Sequence, residues 1–394
     1  MMRKTRLPVL PGMCMLAGVL VFAAGTEVSD ASALRVPVAA GHVRSEALPE
    51  DDRMKADYSV QFPLTGLFST GQKDARPIAV MVENSPAARP QSGLGDADVV
   101  YEILAEGDIT RFAAFYHCRS PVKVGPVRSI RPYYVDVAAA MDAVLVHAGW
   151  SQEAMNRVDA GGVDHFDEVY GDRVYYWRSP DRKQPHNLYT SIEGIRRGMD
   201  KKQLRTAWTP VLPMFEAGEA RGEARPSGAE GRAAGAEGEA VSGEPAGSAS
   251  ADASVAAGAG GTGEAVRLPY SAGYAVSYRY DAASGQYLRW MNGVPHTDAE
   301  TGRQLAAANV LICRSSHKVT DSAGRRRVDV QGPGSGYVLS GGKVQAAVWQ
   351  LRDGLVRAYA ADGQQEITLA PGVTWIQFVP EAMAVELATE LRGS

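Results

Sequence analysis

The stretch PIAVMV, Pro77 to Val82, decides how the N-terminal half of this 394-residue chain folds. It is continuously apolar and rich in β-branched residues, which is typical of a strand that is buried on both faces of a sheet. Two more apolar runs follow, ADVVYEILAEG from Ala97 to Gly107 and TRFAAFYH from Thr110 to His117. These three runs predict the strands with which an ordered domain begins.

Helical patterns alternate with strands after these runs. Thr190 and Glu193 are spaced like a capping box, and Ser151 precedes a run that ends in two glycines. The alternation predicts an α/β domain over residues 59–203. The predicted elements are a helix over Tyr133–Ala143, a strand over Ala143–Gly149, a helix over Ser151–Gly162, a strand over Val174–Arg178 and a helix over Thr190–Gln203.

The C-terminal half has the pattern of short strands joined by tight turns. Gly341-Gly342 and Asp362-Gly363 each separate two apolar runs, which is a hairpin signal. Residues 204–215 and 266–385 therefore predict a β-rich domain, a sandwich or an open barrel, and the fold class of the whole chain is α+β. The predicted strands are Ala275–Asp281, Gln286–Met291, Asn309–Ser315, Arg325–Gly332, Lys343–Leu351 and Val373–Val379.

Two segments lack the apolar residues that a core needs. Residues 216–265 are almost wholly Gly, Ala, Glu, Ser, Arg and Pro, without an aromatic residue, and predict a disordered insert. Residues 26–58 are small and polar and predict a disordered tether.

Residues 1–25 have the pattern of a targeting segment. Three basic residues, Arg3, Lys4 and Arg6, precede the apolar stretch Leu7–Gly25. This pattern fits either a cleaved signal peptide or an uncleaved membrane anchor. Either one places the bulk of the protein outside the cytoplasm, at the outer face of the cytoplasmic membrane or secreted. Cys14 lies inside the apolar stretch, whereas a lipoprotein cysteine follows it.

Composition excludes several classes of function. Hydrophobic residues make up 45% of the chain and the net charge is −4, which argues against a nucleic-acid partner. The chain has no P-loop, no strand-to-helix GxGxxG and no CxxC, so we predict no cofactor and no metal site. Cys118 and Cys313 form either one disulfide or two buried free thiols.

Basic and polar residues concentrate next to the ends of the N-terminal strands. GPVRSIRPYY, Gly125 to Tyr134, predicts a turn that presents Arg128 and Arg131, with Tyr133 and Tyr134 at the start of a helix and at least one of them in the core. Arginine suits bidentate contact with phosphate or carboxylate, and strand ends are a common ligand site in α/β sheets. The alternative is that the arginines pair with carboxylates of the same domain.

Histidines provide the second kind of candidate. His186 lies in QPHN ahead of a helix N-terminus, and its functional and structural readings are both open. DHFDE, Asp164–Glu168, is interpreted as a solvated acidic turn. His296 and Asp298 are interpreted as turn residues, because one histidine and one carboxylate make a poor metal site.

Several long motifs, in order, resemble the YerB-like family, also called domain of unknown function 3048. They are PLTG, RPIAVMVENSPAARPQSGL, ADVVYEILAEGDITRF, VGPVRSIRPYY and RKQPHNLYTS, then YRYD, GQYLRW, the H-x-D of His296 and Asp298, NVLI and PGVTWI. The resemblance covers nearly all of residues 60–380 except the insert. It implies a bacterial extracytoplasmic lipoprotein and implies no particular reaction.

The motifs of this family contain the basic and polar residues that their chemistry already marks as candidates. The resulting candidate ligand-binding residues are Arg89, Gln91, Glu102, Arg111, Arg128, Arg131, His186 and Asn187. The leading hypothesis is an envelope protein that binds an anionic, phosphate- or carboxylate-bearing ligand, such as a cell-wall precursor or polymer. One alternative is a hydrolase or transferase in which Glu102, Glu106 or His186 is the acid–base group. The other alternative is a scaffold that uses exposed tryptophans, Trp290, Trp349 or Trp375, to contact envelope proteins.

Overall fold

The computed structural model describes residues 60–69, 72–209, 215 and 265–387, and the backbone alone of residues 261, 262 and 388. The predicted targeting segment and tether lie outside these residues, as does most of the predicted insert. The last part of that insert differs from the prediction, because Gly261–Thr262 is a strand and another strand begins at Ala265. Within the described ranges, none of the helices combines the length and apolarity needed to cross a membrane.

The first half of the described chain alternates strands and helices, as predicted. Its elements are β1 Val60–Gln61, β2 Phe68–Ser69, β3 Ile78–Glu83, β4 Val99–Glu106, β5 Ile109–Tyr116, α1 Pro132–Ala140, β6 Val144–His147, α2 Gln152–Gly161, β7 His165–Asp167, β8 Tyr176–Arg178, β9 Leu188–Thr190 and α3 Ile192–Lys201.

The second half contains strands without α-helices among its described residues. They are β10 Gly261–Thr262, β11 Ala265–Ser271, β12 Tyr274–Asp281, β13 Gln286–Met291, β14 Val294–Pro295, β15 Ala306–Ala307, β16 Asn309–Ser315, β17 His317–Val319, β18 Arg326–Val328, β19 Gly334–Ser340, β20 Lys343–Arg352, β21 Leu355–Tyr359, β22 Thr374–Pro380 and β23 Glu386–Ala388. The fold is therefore α+β and rich in strands.

One large sheet contains strands from both halves of the sequence. Its order is β10-β20-β19-β16-β22-β4-β5-β3-β6-β7, with β21 paired to β20. The halves meet where β22 runs parallel to β4 and places Gln377 opposite Glu102. The domain boundaries remain a prediction, but the sheet itself continues from one half into the other.

The directions of the strands bring several carboxyl ends to one edge of this sheet. β3, β6 and β7 are parallel neighbours, and β4, β22 and β16 point the same way because β5 is antiparallel to both β3 and β4. The predicted strand-end residues Glu83, Glu106 and Arg111 consequently lie at this edge.

Both faces of the large sheet are covered. Helices α1 and α2 pack on one face, over side chains such as Met81, Ala113 and Phe115. A second, six-stranded sheet, β14-β13-β12-β11-β23 with β15 on β13, packs with α3 on the opposite face, over side chains such as Phe112 and Trp375. Whether the C-terminal strands are best classed as a sandwich or an open barrel stays a prediction.

The helix ends test the capping signals in the sequence. Ser151 caps α2, its hydroxyl accepting from the amide of Ala154, as predicted. The predicted capping box of Thr190 is wrong, because Thr190 ends β9 and its hydroxyl donates to the carbonyl of Tyr175 at 2.9 Å. Ser191 caps α3 instead, with its hydroxyl 3.1 Å from the amide of Gly194.

The tyrosines that follow the two arginines of GPVRSIRPYY begin a helix, as predicted. Tyr133 and Tyr134 lie in the first turn of α1 and both are buried. Their hydroxyls donate to carbonyls of the sheet, Tyr133 to Leu104 at 2.7 Å and Tyr134 to Ile103 at 2.9 Å. These bonds attach α1 to the sheet edge at which Arg131 begins the helix.

A wholly buried ion pair joins the two sheets. Glu102 on β4 and Arg289 on β13 are both 0% exposed, and Nη2 of the arginine lies 2.8 Å from Oε2 of the glutamate. Glu102 also accepts from the hydroxyl of Thr110 at 2.7 Å and from the amide of Asn84 at 3.1 Å. The guanidinium lies over the ring of Trp375, 4.5 Å from its centroid. Burial alone would lower the pKa of Arg289, but the charge of Glu102 and the surrounding tyrosines raise it.

Replacing one partner of this pair should be strongly destabilising. We expect Arg289→Ala to lower the free energy of unfolding by about 3–5 kcal/mol, because Glu102 would remain buried without its counter-charge. Urea unfolding of the region from residue 60 onward measures the loss.

Two further variants give that measurement its controls. Arg267→Ala breaks an exposed pair with Glu386 and should cost no more than about 1 kcal/mol. The double variant Glu102→Leu/Arg289→Met should recover most of the loss, since it removes both charges. An Arg289→Ala protein as stable as Arg267→Ala would contradict this role for the pair.

Candidate functional site

The carboxylate of Glu83 organises the basic residues at the end of β3. Arg128 contacts it twice, with Nε 2.8 Å from Oε2 and Nη2 2.9 Å from Oε1. The hydroxyl of Ser85 donates to Oε1 at 2.7 Å. The amide of Glu83 bonds the carbonyl of Pro126 at 2.9 Å, so the GPVR turn runs directly beside this strand end.

His186 reaches the same carboxylate from the β8–β9 hairpin. Its Nδ1 lies 2.9 Å from both carboxylate oxygens of Glu83. Its Nε2 has no hydrogen-bond partner among the residues described, and the side chain is half-buried. Glu83 thus fixes one ring nitrogen and leaves the other one available.

Arg111 and Arg131 share a different carboxylate. Nη2 of Arg111 lies 3.0 Å from Glu106, and Arg131 forms a close ion pair with the other oxygen of the same group. Both guanidinium groups also donate to the turn, Arg111 to the carbonyl of Ser129 at 2.7 Å and Arg131 to that of Ile130 at 2.6 Å. Two cations on one carboxylate leave this cluster with a net positive charge.

Arg89 is positioned by an amide instead of a carboxylate. Its Nε donates to Oδ1 of Asn84 at 3.1 Å and its Nη2 to the backbone carbonyl of the same residue at 2.9 Å. The guanidinium lies 5.1 Å from the centroid of the Tyr274 ring. It has no ion pair with an acidic residue in the described part of the chain, and it is half-buried.

The remaining candidates are interior residues. Gln91 is buried, donating to the carbonyl of Glu83 at 2.8 Å and accepting from His296 at 2.7 Å. Asn187 is buried and bonds the carbonyl of Ser179 at 3.0 Å and the guanidinium of Arg178 at 3.1 Å. Glu102 is enclosed between the two sheets, where a ligand cannot reach it.

The candidates therefore separate by face of the large sheet. Because side chains alternate along a strand, Glu83 and Arg111 share the face covered by α1 and α2, while Glu102 points to the opposite face. Arg111, Arg128 and Arg131 form ion pairs within the protein, which is the alternative that the sequence left open. Arg89 and the free nitrogen of His186 remain as groups that can meet a ligand.

Two further residues belong to this region, Asn84, which was not among the sequence candidates, and Arg182, which belongs to the basic set that the sequence places at the strand ends. Asn84 follows β3 and connects Arg89 to Glu102, a role that sequence spacing does not reveal. Arg182 donates to the carbonyls of Ala87 at 3.4 Å and Pro90 at 2.5 Å, so it lies against the turn that precedes Arg89. The only sequence signal for Arg182 is its place in RKQPHN.

The charges around this turn are predominantly positive. Arg89, Arg128, Arg182 and Lys183 are opposed by Glu83 and Asp181. Burial would raise the pKa of Glu83, but hydrogen bonds from Arg128, Ser85 and His186 outweigh it and lower that pKa below its usual value. Glu83 is consequently ionised at neutral pH and balances Arg128.

The other histidine motifs have structural partners. DHFDE is not a solvated turn, because His165–Asp167 is strand β7, in which Phe166 and Asp167 are buried. Asp298 has the predicted turn role, accepting from the amide of Glu300 at 2.9 Å. His296 is buried, accepting from Nε of Arg289 at 3.0 Å. Among the described residues, no three His, Cys, Asp or Glu side chains are grouped to hold a metal ion.

Cysteines and tryptophans complete the sequence candidates. Cys118 and Cys313 are both free thiols. Trp349 and Trp375 are buried in the core, and Trp290 is half-buried beneath the guanidinium of Arg279, 4.7 Å from its ring centroid. These tryptophans therefore do not form an exposed aromatic patch on the C-terminal strands.

A cavity of about 340 Å³ lies apart from these groups. It is lined by Gln72, Asp74, Ala75, Arg196, Met199, Asp200, Thr206 and Ala207. None of the candidate residues lines this cavity.

Comparison with known proteins gives consistent matches. Residues 64–205 match the family described as "Protein of unknown function (DUF3048) N-terminal domain", and residues 266–376 match its C-terminal domain. The chain is 35% identical over 330 residues to "Putative lipoprotein YerB" of Bacillus subtilis (strain 168), covering 83% of this chain and 88% of that protein. It also resembles the crystal structure of YerB from Bacillus subtilis, with a TM-score of 0.66 and 33% identity over 83% of this chain and 99% of the other.

The lowered pKa of Glu83 predicts a stability effect that depends on pH. Glu83→Gln should lower the free energy of unfolding by about 1–3 kcal/mol at pH 7, since it weakens the charged hydrogen bonds to Arg128 and His186. A carboxyl whose folded pKa is depressed stabilises the fold above its unfolded pKa, about 4.5 here, and loses that contribution as pH falls through the folded value. The difference between the two proteins should therefore shrink below about pH 4.5.

Denaturant unfolding at a series of pH values checks this effect. Glu193→Gln is the matched control, because Glu193 forms an exposed pair with Arg197 and should change stability little at any pH. A Glu83→Gln deficit that is the same at pH 3 and pH 7 would show that the charge of Glu83 does not contribute.

Proposed function

This chain belongs to the DUF3048 family, the family of YerB, and from that premise we propose that it binds an anionic ligand outside the cytoplasm. The ligand carries a phosphate or carboxylate group and is a component of the cell envelope. Its site is the surface formed by Arg89, Arg182 and His186 around the turn that follows β3. We name this surface the basic turn.

The observation that carries the proposal is that Arg89 has no acidic partner among the described residues. Its guanidinium is held in place by Asn84, half-buried beside Tyr274, and has no acidic partner in the described part of the chain. A partly desolvated, pre-positioned arginine without a counter-charge favours an external anion, because the anion would supply the missing charge.

Two neighbours can add to the same contact. Arg182 lies against the backbone of residues 87 and 90, and Nε2 of His186 has no partner among the described residues. Arg128, Arg131 and Arg111 act indirectly, because each is already bonded to Glu83 or Glu106. They fix the position of the turn and contribute to the positive potential around it.

The name of its relative supports the proposed location of the protein. The name of the Bacillus subtilis protein, a lipoprotein, fits an exported protein that is anchored at the membrane. In this chain, residues 1–25 would provide either the signal peptide or the anchor. Cys14 departs from the usual lipoprotein position, so we do not assign it a lipid.

Binding of a simple anion tests the proposal. Pyrophosphate at about 100 times its dissociation constant should stabilise the folded protein by roughly 2.7 kcal/mol, seen as a rise in melting temperature. Arg89→Ala should reduce the affinity at least tenfold, because the unpaired guanidinium is the main contact. Thermal shift and titration calorimetry measure the two quantities.

Arg197→Ala is the matched control for that test. It removes the same charge from an exposed pair on α3 and should leave pyrophosphate binding unchanged. Equal affinity of the parent and Arg89→Ala proteins, or no binding of pyrophosphate, inorganic phosphate or citrate to the parent, would refute an anion site at the basic turn.

A second candidate function is hydrolysis of the bound ligand. Glu83 contacts Nδ1 of His186 through both oxygens, an arrangement that holds the proton on Nδ1 and leaves Nε2 as a base. That nitrogen would take a proton from a water that attacks one phosphorus of a diphosphate, while the bridging P–O bond breaks and the other phosphate leaves with the bridging oxygen. Arg89 would stabilise the charge that develops on this leaving phosphate. Glu102 is enclosed and Glu106 is bonded to two arginines, so His186 is the favoured acid–base residue.

Release of inorganic phosphate from pyrophosphate tests for turnover. A colorimetric phosphate assay should show release by the parent protein, at least 100-fold reduced in His186→Ala, while calorimetry shows that the variant still binds pyrophosphate. Release that survives in His186→Ala, or none from the parent when it is saturated with ligand, would rule out this candidate and leave the binding function in place.

A further inference from the structure

Exposed apolar side chains concentrate in one short segment beside the basic turn. Val169, Tyr170, Val174 and Trp177 are 54%, 66%, 79% and 40% exposed. The segment follows β7 at the carboxyl edge of the large sheet and continues into β8, where Trp177 lies. Large apolar side chains gathered in this way at a surface are typical of a contact site.

Two aromatic rings in this region contact each other. The ring centroids of Trp150 and Tyr170 are 4.1 Å apart, at an interplanar angle of 45°. Trp150 packs partly against the core, so it provides a fixed support, whereas most of Tyr170 is exposed. The pair therefore presents a rigid aromatic surface to solvent. We name Trp150 and Tyr170 the aromatic pair.

Backbone contacts place the segment of Trp150 next to the turn of Arg128, whose side chain contacts Glu83 together with His186. The carbonyl of Arg128 accepts from the amide of Ala148 at 3.0 Å, and the amide of Ile130 bonds the carbonyl of Gly149 at 3.1 Å. The amide of Glu168 bonds the carbonyl of His147 at 3.1 Å. The segments that lead to Arg128, Trp150 and Tyr170 are thus adjacent along one edge.

Side chains make the same connection. Glu168 lies 3.4 Å from Arg178, and Arg178 donates to Asn187 at 3.1 Å. Asn187 is next to His186, whose ring contacts Glu83. A series of polar contacts therefore runs from Glu168, the residue before Val169, to Asn187, which follows His186 in the chain.

Polar side chains lie close in the chain to both residues of the aromatic pair. Gln152 and Asn156 are exposed on the first turns of α2, and the Gln152 amide donates to the Asn156 carbonyl at 2.9 Å. Arg173 is largely exposed and 4.0 Å from Glu168. Exposed amide and guanidinium groups of this kind can hydrogen-bond the hydroxyls of a sugar.

We propose that the aromatic pair is a sugar-binding subsite of the same ligand site, so that the ligand is a glycan that carries both sugar rings and anionic groups. A pyranose ring has an apolar face of C–H bonds and a polar rim of hydroxyls, which matches an aromatic ring with amide and charged side chains close to it in the chain. The anionic group of such a ligand would lie at the basic turn. This inference rests on the proposed function and specifies the class of its ligand.

A glycan fits these observations better than a membrane surface or a protein. A membrane contact favours a broad apolar face, and a protein contact of standard size buries about 800 Å² per partner. Here Arg173, which is largely exposed, lies between Tyr170 and Val174 in the chain, and Arg178 follows Trp177. The two rings that touch would accommodate one sugar.

The test uses three probes on the region from residue 60 onward. They are the tetrasaccharide of β-1,4-linked N-acetylglucosamine, which has no phosphate, inorganic pyrophosphate, which has no sugar, and UDP-N-acetylglucosamine, which has both. Tryptophan fluorescence reports contact with Trp150, and calorimetry gives the affinities. Tyr170→Ala removes the exposed ring, and Val294→Ala, also an exposed apolar residue but on β14, is the control.

The expected results separate this inference from the proposed function. Tyr170→Ala should weaken the tetrasaccharide and UDP-N-acetylglucosamine at least tenfold and leave pyrophosphate unchanged, while Val294→Ala changes none of them. Trp150→Phe should retain tetrasaccharide binding and lose the fluorescence change. Pyrophosphate binding without any binding of the tetrasaccharide would overturn the sugar subsite alone, and tetrasaccharide binding without pyrophosphate binding would overturn the anion site alone.

One more outcome would assign the aromatic pair to a different partner. If the parent protein sediments with phosphatidylglycerol vesicles, Tyr170→Ala does not, and neither protein binds the tetrasaccharide, the inference is overturned in favour of a lipid surface.

Discussion

The ion pair of Glu102 and Arg289 is the constraint on which the arrangement of the sheets depends. Its partners come from β4 and β13, 187 residues apart, and neither is exposed. A charge without a partner in such an environment is very unfavourable, so the six-stranded sheet must pack with Arg289 over Glu102. The bonds of Glu102 to Thr110 and Asn84 then fix the end of β3, which is where the candidate site begins.

The need of a buried charge for a partner also explains the ion pairs on the other face of the sheet. Glu83 and Glu106 lie at the edge and each binds the arginines that the sequence places nearby, Arg128 for the first, Arg111 and Arg131 for the second. Most of the positive charge that marks this region is therefore neutralised within the protein. Arg89 differs because it is held by Asn84, a neutral residue, and its charge is not neutralised in this way. The basic turn is proposed as the anion site for this reason.

The proposed ligand site is a surface built along an edge, between the basic turn and the aromatic pair. The chain segments that carry these groups are separated in sequence but adjacent at the carboxyl ends of β3, β6 and β7. Parallel strands gather their carboxyl ends in this way, which is why ligand sites recur there. A polymer or an extended ligand suits an edge, since it can contact several strand ends in succession.

The sequence by itself determined the local elements. Continuous apolar runs predicted β3, β4 and β5, Ser151 predicted the start of α2, and Tyr133 and Tyr134 were correctly expected to begin a helix in the core, because period and capping are properties of neighbouring residues. The sequence also identified the strand ends at which the candidate residues lie.

Only the tertiary structure decided which of those residues pair. Gln377 stands beside Glu102 because β22 joins β4, and His186 meets Glu83 although the two are 103 residues apart. The face that a side chain occupies and the partner that it meets are set by strand register and long-range packing, which local patterns do not encode. For that reason, the sequence predicted arginines at this edge, while the structure alone distinguished Arg89 from those already paired.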